Sequence, residues 1–218
     1  NQLSQIAKTN DKDIFQTYMA TIATAVDPHT SYFSPRDSEN FNMGLSLSLQ
    51  GIGAQLTTEE EYTKVAELIK GGPAEIGEEL QQGDRIIGIG QGVDGDIQDV
   101  VGMRLDDVVA QIRGEKGTVV RLSVIPVDSV SETNATVVSI TRDTVKLEDQ
   151  SAKKELIELS YNGDDYKIGV VDLPTFYFDV EAAARGDQDF KSSTRDVRVL
   201  LEELEEEGVD AVVVDLRN

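Results

Sequence analysis

The stretch that most narrows what this chain can fold into is Gln50-Gly51-Ile52-Gly53-Ala54, set directly after Leu45-Ser46-Leu47-Ser48-Leu49. The leading run alternates apolar and polar residues, the period of a half-buried strand. Two glycines around one apolar residue then let the backbone turn with its N–H groups directed into a common concavity. Such a concavity binds a carboxylate, and an extended peptide can continue from it as an added strand along Gly53 to Leu56. The plain alternative is an ordinary glycine turn between strands, which Gly-x-Gly by itself favours.

The neighbouring segments weigh against that alternative. Gly71-Gly72-Pro73-Ala74 opens a short helix, expected to run to Leu80, with proline in its first turn where a missing donor costs nothing. Gly83-Asp84-Arg85-Ile86-Ile87 is a turn feeding an apolar strand. Leu105 to Arg113 is a helix with Leu105, Val108, Val109 and Ile112 on one face, and Gly114 stands where a helix stop is expected. Further short strands are expected at Ile52–Leu56, Tyr62–Leu68, Arg85–Ile89, Val119–Ile125 and Val137–Thr141.

The flanks are patterned differently. Leu3 to Val26 predicts a helix through Ile6, Ile14, Tyr18, Ile22 and Ala25, broken at Asp27-Pro28 and followed by a loop over Ser31–Ser38. Near-continuous apolar strands at Ile168–Leu173 and Ala211–Leu216 enclose a helix, Asp196–Glu207, with Val197, Leu200, Leu201 and Leu204 inward. Strand, helix, strand of this kind is a crossover unit of an α/β layer. Ending straight after its second strand, the unit is expected to be incomplete. Three parts follow: an N-terminal helical segment over residues 1–43, a strand-rich domain over 44–141, and the start of an α/β body over 142–218.

Composition closes several routes. There is no cysteine and one histidine, so thiol chemistry, disulfides and a His-rich metal site are excluded, and no cofactor or metal is expected. Twenty basic against 41 acidic residues give a formal charge of -21, which repels nucleic acid. No apolar run approaches the ~20 residues of a membrane span. Gly90-Gln91-Gly92-Val93-Asp94-Gly95 matches a dinucleotide pattern in letters only, since no helix start follows and Asp94 and Asp96 would repel a pyrophosphate; it reads as a strand-to-strand loop. Ser151-Ala152-Lys153-Lys154 fits Ser-x-x-Lys, but a solvated, charged setting keeps the lysine protonated. His29, in a Pro-His-Thr-Ser turn, reads as a structural hydrogen-bonding residue.

In order and spacing, the central segments resemble PDZ domains of the bacterial protease type. Asp27-Pro28-His29-Thr30-Ser31-Tyr32 before them, and Val213-Val214-Asp215-Leu216-Arg217-Asn218 after them, resemble C-terminal processing peptidases, closest to the bacterial tail-specific branch. The resemblance implies an α+β fold, with a PDZ domain (an antiparallel partial β-barrel with two helices) inserted between the helical segment and the incomplete α/β segment. It implies that the amides of Ile52, Gly53 and Ala54 hold a tail carboxylate, with Leu49, Gly51, Leu56, Leu105, Val108, Val109 and Ile112 completing the groove. The expected partners are apolar, unstructured C-terminal tails of substrate proteins, together with an adaptor lipoprotein, and the expected location is the periplasm. The family's serine and lysine dyad matches no position here, so the 218 residues are expected to bind tails without cutting them. Asn42–Leu45 and Ser139–Asp143 are the expected hinges of the domain. A stand-alone PDZ adaptor, or a hydrolase using Ser151 and Lys154, are the alternatives.

Overall fold

The computed structural model describes residues 9–129 and 134–217. The chain divides into two compact units, one up to Gly44 and one from Leu45 onward.

In the first unit, helix α1 spans Asp11–Val26; the expected start near Leu3 lies outside the described residues. Asn10 caps it: its side chain accepts from the Lys12 and Asp13 amides at 2.9 and 3.1 Å, and the Asp13 carboxylate accepts from the Asn10 amide at 2.9 Å. Two orphan donors are thereby satisfied reciprocally. The chain leaves the helix at Asp27 and turns, as Asp27-Pro28 predicts. A second helix, α2, occupies Pro35–Ser46 and corrects two expectations. Residues 35–38 are helical rather than loop, because Ser34 accepts from the Asp37 amide at 3.3 Å and Pro35 sits at the first helical position. Leu45 and Ser46 close this helix instead of opening a strand. Leu47 then takes a left-handed φ of 48°, and strand pairing starts only at Ser48. Within the unit, Phe15 meets Tyr32 edge-on and Phe33 packs against Phe41.

The second unit begins with β1 (Ser48–Gly51), followed by β2 (Ala54–Glu59), β3 (Tyr62–Leu68), a one-turn helix α3 (Pro73–Gly77), β4 (Arg85–Gln91), the short β5 (Gln98–Asp99), helix α4 (Leu105–Ile112), β6 (Val119–Ile125) and β7 (Thr136–Thr141). Strands β2-β3-β4-β6-β7 form one antiparallel sheet in that order, with β5 on β4. Val120, Leu122 and Val124 alternate inward along β6 and meet Val65, Ile86, Ile89, Val108, Ile112 and Ile140 in one buried cluster. Helix α3 stops at Gly77, short of the expected Leu80, because Glu78 turns left-handed; Leu80 is nevertheless buried in the cluster. This is the α+β arrangement expected of the central domain, and among the described residues β2 is left as a free edge.

Strand β8 (Asp143–Lys146) pairs antiparallel with β1, from Ser48↔Lys146 to Gly51↔Asp143, so the chain enters and leaves the domain through one two-stranded ladder. The expected hinges therefore lie in regular structure: Asn42–Leu45 in α2, and Ser139–Asp143 across β7 and β8. Beyond a single 3-10 turn at Glu148–Gln150, β9 (Lys153–Tyr161) and β10 (Asp164–Asp172) make a hairpin around Asn162-Gly163, both with positive φ (54° and 95°), as a two-residue turn requires. Helices α5 (Val180–Ala184) and α6 (Ser193–Glu206) then lead to β11 (Ala211–Asp215), which pairs parallel with β10 from Ile168↔Ala211 to Asp172↔Asp215. The expected crossover unit is present. On α6, Leu204 is fully buried over Gly169, where a Cβ would lie 2.8 Å from its methyls; Leu201 is exposed rather than inward. Tyr177 anchors a second cluster with Leu47 and Leu173. Among the described residues no helix is long and apolar enough to cross a membrane.

Candidate functional site

The geometry at Gly51–Ala54 follows from where three successive carbonyls go. In the β1–β8 ladder, the Leu147 amide donates to the Leu47 carbonyl at 2.9 Å, and the alternation of antiparallel pairs then makes Gly51 and Asp143 a pair that exchanges both bonds. The Gly51 carbonyl is thus taken up by β8. The Ile52 carbonyl accepts from the Ala74 amide at 2.8 Å, and the Gly53 carbonyl from the Ile69 amide at 2.8 Å. In a planar trans peptide the following N–H points opposite to the carbonyl. The amides of Ile52, Gly53 and Ala54 are therefore all turned away from the scaffold. Those of Ile52 and Gly53 donate to no acceptor among the described residues, although both residues are buried. A backbone N–H with no protein acceptor is met by water or by a ligand.

Two glycines make this possible. Gly53 has φ of +74°, and a Cβ on it would lie 2.9 Å from the Gly72 Cα. A Cβ on Gly72 would meet the Ile69 carbonyl oxygen at 2.9 Å and the Gly53 Cα at 3.0 Å. The loop and the Gly71-Gly72-Pro73 turn are packed backbone on backbone, so Gly72 is as much a part of the site as Gly53. Its role was hidden in the sequence, where Gly-Gly-Pro announced only a helix start.

Helix α4 lies beside β2. Leu105 and Val109, one turn apart, are half-buried, and Ala54 and Leu56 on β2 are partly buried against the central cluster. Val108 and Ile112 are buried in that cluster, at 0% and 3% exposure. Their place is the domain core, because at 100° per residue they fall on the inner side of the helix, leaving Leu105 and Val109 as the side beside β2. Leu49 is half-buried on β1, and a Cβ on Gly51 would touch its Cδ1 at 3.4 Å.

Basic groups gather at the same end. The Arg113 stem lies over Gly51, with its Cγ 3.9 Å from where a Cβ would be. The Lys116 amide donates to Gln50 Oε1 at 3.0 Å, and the Lys116 ammonium hydrogen-bonds Asp143 at 2.5 Å, holding that carboxyl below the usual range. The C-terminus of α4 is fixed by Arg142, 3% exposed. Its guanidinium donates to the carbonyls of Ile112 (2.7 Å), Gln111 (3.0 Å) and Val119 (3.3 Å), to Thr118 Oγ1 (3.0 Å) and to Gln91 Oε1 (2.7 Å). Burial lowers its pKa from the ordinary arginine value. Gly114, expected as a helix stop, serves this packing instead: a Cβ there would sit 2.9 Å from the Arg142 Cζ, and α4 ends at Arg113 in extended backbone.

The other candidates resolve plainly. Ser151 Oγ donates to the Glu148 carbonyl at 2.7 Å, while Lys154 Nζ is 2.7 Å from both Glu203 and Glu207, whose hydrogen bonds raise its pKa. A capped serine and a doubly paired ammonium do not make a nucleophile and base. The amide and ring of His29 both bond Asp27 Oδ1, at 2.9 and 3.1 Å, which is the structural turn role expected of it. Gly90–Gly95 runs from the end of β4 toward β5, as a strand-to-strand loop.

The family model of the PDZ domain matches residues 35–125, and that of the tail specific protease N-terminal domain matches residues 1–36. The Tail-specific protease of Haemophilus influenzae is 39% identical over 215 residues, 99% of this chain and 28% of that protein. The Carboxy-terminal processing protease CtpA of Bacillus subtilis is 25% identical over 208 residues, 95% of this chain and 38% of that protein. Among solved structures, the PDZ domain of the carboxy-terminal protease from Vibrio cholerae, in complex with peptide, shares 48% identity over 46% of this chain and all of that one, with a TM-score of 0.44. The chain thus spans less than two fifths of the length of either curated relative. It is similar over nearly its whole length to C-terminal processing proteases of the tail-specific branch, and carries regions that match the tail specific protease N-terminal domain and the PDZ domain.

Proposed function

We propose that this region is the substrate-recognition part of a serine-type tail-specific endopeptidase, and that it captures the free, apolar C-terminal ends of unstructured protein segments. One observation carries the proposal: three consecutive amides, Ile52, Gly53 and Ala54, are turned off the scaffold beside the free edge of β2. A terminal carboxylate accepts from them, and the preceding residues add as a strand antiparallel to β2. The terminal side chains then lie between β2 and the half-buried Leu105 and Val109. Such docking selects an end rather than an internal segment, because only an end brings a second oxygen to the amides. The Ser-Lys chemistry of the family is no part of what Ser151 and Lys154 do. A periplasmic location and an adaptor lipoprotein belong to the same proposal and rest on the family likeness; cell fractionation and co-purification test them.

The binding test uses a fluorescent peptide with an apolar end, once as the free acid and once as the C-terminal amide. Anisotropy is expected to show at least about ten-fold weaker binding of the amide, since a charge-assisted contact is lost. Equal affinity of the two forms would overturn the proposal.

A further inference from the structure

The groove differs in charge from one end to the other. At the amide end stand Arg113 and Lys116. At the other end, the turn joining β2 to β3 is Glu59-Glu60-Glu61, all exposed. The Gly102 amide donates to the Glu61 carbonyl at 2.7 Å, which pins this acidic turn beside the chain entering α4. The free edge of β2 and the start of α4 therefore finish together, as the two lips of one groove mouth. Glu59 is paired with Lys64 at 2.7 Å and Asp106 with Arg104 at 3.6 Å, whereas the carboxylates of Glu60 and Glu61 have no ion pair among the described residues. The helix repeats the gradient. Asp106 and Val109 stand at i and i+3 on α4, and Arg113 follows as its C-terminal cap, so this side runs acidic, apolar, basic toward the amide end.

A ligand held by its carboxylate at Gly53 and running antiparallel along β2 reaches the acidic mouth after a fixed number of residues. Both strands advance about 3.3 Å per residue, and with the tail's last residue opposite Ala54, Glu59–Glu61 face positions about five to seven residues before it. Resting on the tail-capture proposal above, we infer that the groove selects for charge as well as for an apolar end: it favours tails with lysine or arginine about five to seven residues before the last and disfavours tails with acid there. The occupant is a substrate tail of that composition, chosen by charge complementarity to the unpaired Glu60 and Glu61. An all-acidic surface would merely repel acidic tails at every position; this gradient reads the charge at one place.

The test uses the whole chain and three labelled peptides with the same apolar final three residues, bearing lysine, glutamine or glutamate six residues before the last, opposite Glu60. Affinity is expected to fall in that order, by about five-fold or more from lysine to glutamate at low salt, the size of contrast exposed charge contacts sustain. The contrast should collapse in about 0.5 M salt. In the E60Q/E61Q double variant the three peptides should bind alike. Equal affinities for the three peptides, while the acid form is still preferred over the amide, would overturn charge selection and leave tail capture standing. Loss of the acid-over-amide preference would overturn both. A lysine-to-glutamate contrast that persists in E60Q/E61Q would assign it to the general field of the protein and overturn the role of the mouth.

Discussion

The loop at Gly51–Ala54 and the guanidinium of Arg142 both bring charge chemistry to the backbone, with opposite balance. Around Arg142 every N–H group finds an oxygen: three main-chain carbonyls, a hydroxyl and an amide side chain surround a cation that has no carboxylate partner among the described residues. At the loop, three carbonyls are satisfied by the scaffold and the amides opposite them are left over. The first arrangement is closed and can only hold structure together. The second is open and stable only because glycine permits it, and its unmet donors are what a carboxylate completes. Buried polar groups mark structure where they are paired and binding where they are not.

That contrast predicts a dissociation between stability and binding. Arg142→Met removes a buried hub and leaves the C-terminal carbonyls of α4 without donors, and is expected to cost about 3–5 kcal/mol of folding stability. Arg142→Lys should recover only part, since an ammonium cannot reproduce the planar fork. Urea denaturation followed by circular dichroism measures both; a loss under about 1 kcal/mol in the methionine variant would show that Arg142 is not a hub. Gly53→Ala works the other way. It places a Cβ 2.9 Å from Gly72 at a left-handed position, which costs about 1–2 kcal/mol and displaces the amides. Tail affinity should fall at least about ten-fold while the protein still folds. If Gly53→Ala binds tails as the native protein does, the loop is an ordinary turn.

The same two places explain how much was legible in the sequence. The glycine loop could be read because its conformational demand is local: Gly51-Ile52-Gly53 follows a strand and needs positive φ. Strands β3 and β6 were legible end to end, since their alternation matches one buried face. Arg142 was not legible, because nothing in an arginine's neighbours along the chain tells that its acceptors come from residues 91, 111, 112, 118 and 119. Gly114 was misread for the same reason: a glycine after a helix suggests a stop, and only the third dimension shows a guanidinium passing over it. Strand β9 escaped because it is exposed nearly throughout and so lacks an alternating face; Asn162-Gly163 was its one local sign. On α4 the apolar face was right in composition, but sequence spacing could not divide core from groove among Leu105, Val108, Val109 and Ile112.

The smallest effect tests whether the site is insulated from the second cluster. The Tyr177 hydroxyl donates to Asp196 Oδ2 at 2.9 Å and accepts from the Ala152 amide at 3.0 Å, in a cluster that shares no residue with the one behind the loop. Burial, with the Asp196 charge beside it, pushes the phenol up to about 12 from 10.0. The neutral phenol is the form the fold holds, so its contribution is fully present below pH 10 and is lost as pH rises through about 12. Tyr177→Phe should therefore cost about 1–2 kcal/mol at neutral pH, a deficit that shrinks between pH 10 and 12 as the native protein loses the same interaction. Urea midpoints measured across that range check the sign. Tail affinity at neutral pH should stay within about two-fold of native, because neither the carbonyl bonds behind Ile52 and Gly53 nor the α4 wall touches Tyr177. An affinity loss as large as the stability loss would mean that the ladder of β1 and β8, which runs from Leu47 in the second cluster to Gly51 at the glycine loop, transmits strain between them, and the open and closed arrangements would then be one coupled device.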